Sequence, residues 1–229
     1  VNGVVEGATL VSGGNIVLKR GMQGMDRGML QAEGNITAKF LENCKVRCKG
    51  MLKADAILHS DVECQENVDI LGKKGLINGG SLSTYADVHA TTLGSTMGAS
   101  TKIKIISDKE LIIRANEIKE EVENKEGTLR KIDEVVNRVK EQLASNQEVL
   151  PEQMNYLKQA TVNKPLLVKQ IRELREEREK LLVRIEKNKH SCIRVEGAVY
   201  SGIDITIKDV SKIQHEQVSH CRFVRDGAD

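Results

Sequence analysis

Residues 38–52 and 54–68 align on one another at a constant offset of sixteen: Ala38 falls on Ala54, Phe40 on Ala56, Leu41 on Ile57, Cys44 on Ser60, Val46 on Val62 and Cys48 on Cys64. A fixed period built of short apolar runs with turn residues between them marks a solenoid, and sixteen residues are too few for a helical repeat unit. A β-solenoid is what remains.

Alternation inside the repeat agrees. Cys44, Val46 and Cys48 share one face and Lys45, Arg47 and Lys49 the other; the next repeat turns Ser60, Val62 and Cys64 inward and Asp61 and Glu63 outward. This is the period of two of a strand. Stacked in register, Lys45 lies over Asp61 and Arg47 over Glu63, and opposite charges at that offset penalise a one-residue slip. Cys44, Val46, Cys48, Ser60, Val62 and Cys64 are therefore expected as an interior ladder. Corners fall where Gly and Asn gather, at Gly13-Gly14-Asn15, Gly34-Asn35, Gly50, Asn67 and Asn78-Gly79-Gly80. Ile16 and Ile36 are twenty apart, which places extra residues of the stretch Gly21–Gly28 in a loop bulging from a corner. Beyond Ile70 the register loosens, but Leu82, Val88 and Leu93 carry the pattern to about Ile105.

At Asp108 the period changes. Leu111, Ala115, Ile118, Val122, Lys125, Leu129, Ile132, Val136, Val139 and Leu143 recur at steps of four and three, a heptad seam with one polar member, Lys125. Ser145 to Pro151 breaks it, and Pro151 suits the first turn of a second helix. Met154, Leu157, Thr161, Val168, Ile171, Leu174, Leu181 and Ile185 supply a returning seam, with a kink or break expected around Asn163 to Pro165. Asp108–Ser145 and Pro151–Asn188 hold 38 residues each, about 57 Å of helix, so an antiparallel coiled-coil hairpin is expected. The first arm carries 8 basic and 10 acidic residues, and the second, taken to His190, 10 basic and 6 acidic. Ile193, Val195, Val199, Ile203, Ile205 and Ile207 then restore strand alternation. Three segments result: 1–107 β-helix, 108–190 hairpin, 191–229 resumed β-helix.

Composition removes several functions. Aromatic residues are 2% of the chain, Phe40, Phe223, Tyr85, Tyr156 and Tyr200, with no Trp, so a stacking surface for single strands or an aromatic-lined pocket is disfavoured. A net charge of +2 supplies no field that gathers nucleic acid, and Glu173, Glu176, Glu177 and Glu179 interleave with the cations of Arg172–Lys187. Five cysteines, an odd number in a chain too large to need staples, fit a reducing compartment, and the chain reads as cytoplasmic. No apolar run is long enough to insert in a membrane, and no signal peptide is visible. The chain begins at Val1 without Met, which leaves room for upstream segments.

Catalytic or metal chemistry finds little support. Cys44 and Cys48 in one strand lie about 13 Å apart, whereas sulfurs on a tetrahedral zinc sit within about 4 Å; stacked core thiols are the expectation, and no metal or cofactor is expected. His59, His89, His190, His215 and His220 form no metal motif, and Gly79-Gly80 lacks the Lys and helix of a phosphate loop. Asp61 and Glu63 are the carboxylates to name for a β-helix enzyme acting on carbohydrate or acyl substrates, and stacking under Lys45 and Arg47 gives them a structural task instead.

The run Gly34-Asn-Ile-Thr-Ala-Lys-Phe-Leu-Glu-Asn-Cys44, then Ile57-Leu-His-Ser60, Ile77-Asn-Gly-Gly-Ser-Leu82, Leu93-Gly-Ser95, the strand at Thr101 and Gly197-Ala-Val-Tyr-Ser-Gly-Ile203 resemble the flagellar assembly protein A family over nearly the whole chain. That resemblance implies a bactofilin-like right-handed parallel β-helix interrupted by a coiled coil, and a bacterial scaffold linked to flagellar assembly or polar organisation. It brings no catalytic residues. Cys44 and Cys48 depart from the alanine-like residues usual there, and the family's N-terminal region is not in this sequence. The function expected is a non-enzymatic scaffold that binds protein partners or assembles with itself. Its contact is placed at the hairpin tip, Asn146, Gln147, Glu148 and Pro151, or on the hairpin's exposed flank, with capping of the open β-helix end as the plainer role for the hairpin.

Overall fold

The computed structural model describes residues 1–145 and 148–225. It divides into two compact units, one made of residues 1–108 with those from Lys187 on, the other of Lys109–Glu186.

The first unit is a parallel β-solenoid whose interior is three stacks of aliphatic side chains, one for each short side of a turn. On the first side Val5, Met22, Leu41, Ile57, Ile77, Leu93 and Val199 lie one above another. Leu10, Leu30, Val46, Val62, Leu82, Ile103 and Ile205 form the second stack. Ile16, Ile36, Leu52, Val68, Val88 and Ile193 form the third. Nearly all are under a tenth exposed. Burying each such side chain contributes about 1.5–3 kcal/mol before chain entropy is subtracted. This explains how a chain with few aromatics builds a core: a solenoid needs one aliphatic per side per turn.

Register follows the sixteen-residue offset from Ile36 to Leu52 to Val68, and widens to twenty from Val68 to Val88. The added residues lie between Ile70 and Leu76, around Gly75 at φ 55°. One side is also bulged earlier: Gln23 pairs with Glu42 and Gly28 with Cys44, so Gly24 to Arg27 stand opposite Asn43 alone. In successive turns that corner is made by Asn43, His59 and Gly79, at φ 48°, 47° and 78°. At Gly79 an added Cβ would come within 2.4 Å of His59 Nδ1, so the glycine pair turns the chain beneath His59.

Strands after the helical segment pair directly with those before it, Val88 with Ile193 and Thr101 with Ile203. The chain then reverses at Lys208, φ 58°. Val210–Gln214 runs antiparallel to Ile203–Ile207, and Val218–Phe223 antiparallel to Ile193–Val199. These return strands are a feature that aliphatic alternation up to Ile207 does not announce.

The second unit holds two helices, α1 (Lys109–Ala144) and most of α2 (Pro151–Asn188). Ile118, Val122 and Ile171 form its buried centre, with Leu129, Leu167, Leu174 and Leu181 packed against it. Two expectations for α2 are corrected. No break occurs at Asn163–Pro165, because α2 runs through Pro165, although proline there removes the N–H that would bond the Thr161 carbonyl and sets its ring against that carbonyl. Thr161 and Val168 are not in the seam: both are exposed, and Ala160 and Leu167 turn inward. The inward row reads Leu157, Ala160, Lys164, Leu167, Ile171, Leu174, Arg178, Leu181. It keeps its three-four spacing only by passing through two cations.

Candidate interaction site and polar ladders

At the expected tip the second helix begins with a built cap. The Leu150 carbonyl accepts from the N–H groups of Gln153 (3.0 Å) and Met154 (3.2 Å), and Leu150 N–H donates back to Gln153 Oε1 at 3.0 Å. This is the reciprocal half of a capping box with Pro151 in the first helical position. Glu148 and Pro151 are exposed; Asn146 and Gln147 lie outside the described residues. Leu150, 61% exposed, adds an apolar side chain that sequence patterning gave no reason to name.

Between the helices, Arg114 reaches Glu177 at 3.1 Å, Arg175 reaches Glu126 at 2.5 Å, and Lys164 pairs with Asp133. Two seam cations are held by polar partners. Lys125 Nζ donates to Gln170 Oε1 (3.2 Å) and lies near Glu121, and Arg178 Nε donates to the Ala115 carbonyl at 3.3 Å.

The chain leaves and rejoins the solenoid at a buried polar knot. Asn188 Nδ2 donates to Asp108 Oδ1 at 3.2 Å, while Ser191 Oγ donates to the Asn188 and Tyr85 carbonyls. Asp108, Asn188 and Ser191 are all under a tenth exposed. Lys187 adds an ion pair with Glu66 at 2.6 Å. Being 80 residues apart, Asp108 and Asn188 offer no sequence signal of their pairing.

The ladder residues stack within the solenoid. Val46 pairs with Val62 and Cys48 with Cys64; Cys44 N–H donates to Ser60 Oγ at 3.2 Å. That hydroxyl also donates to the Leu58 carbonyl (2.8 Å), and Thr101 repeats the device two turns on in the same stack, donating to the Ala99 carbonyl and accepting from Gly79 N–H. On another corner Asn15 Oδ1 accepts from Asn35 N–H, Asn35 Oδ1 from Met51 N–H, and Asp87 Oδ1 from Cys192 N–H. Outside, Arg47 Nε meets Glu63 at 3.1 Å, and Asp61 accepts from Ser81 Oγ at 2.7 Å. Burial pushes the Cys44 thiol up from its ordinary pKa, partly opposed by Ser60. Among the described residues no group of three or more His, Cys, Asp or Glu could hold a metal ion, and no helix is long and apolar enough to cross a membrane.

Fold and polar ladders together define a parallel β-solenoid protein with a two-helix insertion, its polar side chains engaged in holding corners and register. The family model for the Flagellar Assembly Protein A beta solenoid domain matches residues 1–229. The chain belongs to that family. No curated protein and no solved structure matches it.

Proposed function

We propose that the chain is a non-enzymatic, cytoplasmic scaffold of bacterial flagellar assembly or polar organisation, in which the helical insertion carries the contact with a protein partner. One observation supports this most: the solenoid is complete without the insertion. Its three aliphatic stacks pass from Val88 to Ile193, from Leu93 to Val199 and from Ile103 to Ile205. The parallel strands that follow are already covered by the chain's own return strands, so capping the sheet edge needs no helices. Helices with a core of their own, held at both chain crossings by the Asp108–Asn188 knot, then call for a task outside the solenoid.

We read the insertion as an antiparallel coiled-coil hairpin, because its cross-pairs descend along α2 as they ascend along α1: Arg114 with Glu177, Lys125 with Gln170, Asp133 with Lys164. We read the solenoid as right-handed, the hand that parallel β connections take. The contact is assigned to Asn146, Gln147, Glu148 and Pro151, extended by the exposed Leu150; self-assembly through the same surface would give a homo-oligomer. The test is complementation of a flagellated host lacking this protein with a Leu150→Ser, Glu148→Lys chain. Loss of flagella with normal protein level and melting temperature is the expected result; full flagellation overturns the assignment.

A further inference from the structure

Cys48 and Cys64 are Cα partners on neighbouring parallel strands, which sets their backbones about 4.8 Å apart, within the roughly 4.4–6.8 Å that a disulfide spans. Both sulfurs turn into one corner. Cys48 Sγ donates to the carbonyls of Gly34 (3.2 Å) and Met51 (3.4 Å), and Cys64 Sγ to those of Gly50 (3.0 Å) and Glu66 (3.3 Å). The two thiols form part of the wall of a groove of about 350 Å³, shared with Ala32, Arg47, Tyr85 and Ile106. Each residue is 3% exposed, so a bulky reagent is kept off while a molecule little larger than water can approach along the groove. Corner packing does not require sulfur there: in the next turn Thr84 Oγ1 donates to the same Glu66 carbonyl at 2.6 Å.

We propose that Cys48 and Cys64 form a modification site that a small peroxide oxidises to a disulfide joining two adjacent turns of the solenoid. The Cys48 thiolate attacks one peroxide oxygen; the S–O bond forms, the O–O bond breaks, and the departing oxygen takes a proton to leave as water or an alcohol. Cys64 sulfur then attacks Cys48 sulfur. The S–S bond forms, the S–O bond breaks, and hydroxide leaves with the Cys64 proton as water. Two thiols lose two electrons in all and one peroxide gains them. Cys48 reacts first: the neighbouring Cys64 thiol holds its own thiol below the ordinary value, while the same neighbour and burial push Cys64 far above it, and the thiolate is the nucleophile. Cys44 has Ser60 for its ladder neighbour, and Cys221 stands opposite Val195 rather than Cys192, so no other ladder pair is sulfur on sulfur.

The reduced chain is treated with hydrogen peroxide, alkylated and mapped by peptide mass spectrometry without reductant. A Cys48–Cys64 linked peptide pair, a fall in free thiols from five to three of the chain's cysteines, a raised melting temperature and reversal by dithiothreitol are expected. Cys64→Ser should stop at a Cys48 sulfenic acid that dimedone traps, and Cys48→Ser should abolish the linkage and slow peroxide consumption. Mapping of the unaltered chain decides the matter even if a variant misfolds. Absence of the Cys48–Cys64 link, or bridging through Cys221 in its place, overturns the proposal.

Discussion

Ser60 holds a corner by doing two jobs with one hydroxyl, accepting from Cys44 N–H and donating to the Leu58 carbonyl in a site 2% exposed. Removing it leaves the buried Cys44 N–H without that partner, and a group so orphaned costs about 1–3 kcal/mol. Ser60→Ala is therefore expected to lower stability by about 2 kcal/mol, while Ser60→Thr, which places the Thr101 solution two turns early, should cost less; chemical denaturation of the two variants checks the order. Surface pairs should respond more weakly. Arg47 and Glu63 are some two-thirds exposed, so Asp61→Lys with Glu63→Lys, which stacks cation on cation beside Lys45 and Arg47, should cost roughly 1 kcal/mol at low salt and less at high salt. A melting temperature unmoved by salt would show that the ladder charges do not set register. Cys44 gives a pH signature. Its folded-state pKa is raised above the ordinary thiol value of 9.0, chiefly by burial, so its contribution is full below pH 9 and fades as pH climbs toward the folded value. Cys44→Ala should flatten that alkaline loss, read as the difference in unfolding free energy between pH 8 and pH 10.

Among elements, α2 shows how far pattern reading goes and where it slips. Its bounds were legible, since Pro151 can open a helix and cannot sit easily within one. Its seam was not wholly so: a search for apolar residues selects Thr161 and Val168, whereas the true inward row keeps its spacing through Lys164 and Arg178, which satisfy Asp133 and the Ala115 carbonyl. A cation that packs through its stem and pairs through its head looks like surface in a sequence. The solenoid elements were legible for the opposite reason, because each turn repeats the same three aliphatic demands and the offset itself reports the fold. Corners were legible where glycine marks them, as at Gly79-Gly80, and hidden where Asn43 and His59 take positive φ with a side chain present. Pro165 offers a test at this scale. Proline inside a helix costs about 3 kcal/mol relative to alanine, and α2 runs through it unbroken; Pro165→Ala should therefore raise the stability of the helical unit by a part of that sum. Hydrogen exchange around Thr161 and Leu167 reads it, and unchanged protection there would mean that the lost bond is already compensated.

For the whole molecule, the arrangement of chain crossings makes the role of the insertion separable from that of the solenoid. Asp108 and Asn188 are joined by a 3.2 Å hydrogen bond, so Lys109–Glu186 can be replaced by a short Gly/Ser linker without pulling the crossings apart. Strands on either side, Val88 with Ile193 and Ile103 with Ile205, hold their register through their own backbone bonds and side-chain stacks. The shortened chain should then fold, since closing a shorter loop costs less entropy than closing the longer one, and its far-ultraviolet spectrum should lose helix while keeping strand. Aggregation of a well-made deletion would instead say that the helices shield the sheet edge, the role that the return strands Val210–Gln214 and Val218–Phe223 are here credited with. Function divides the remaining outcomes. A folded, soluble deletion that fails to restore flagella to a host lacking this protein is the expected result and places the partner contact on the helices. A folded deletion that restores flagella in full would leave the solenoid faces as the working surface and sink the assignment to the hairpin.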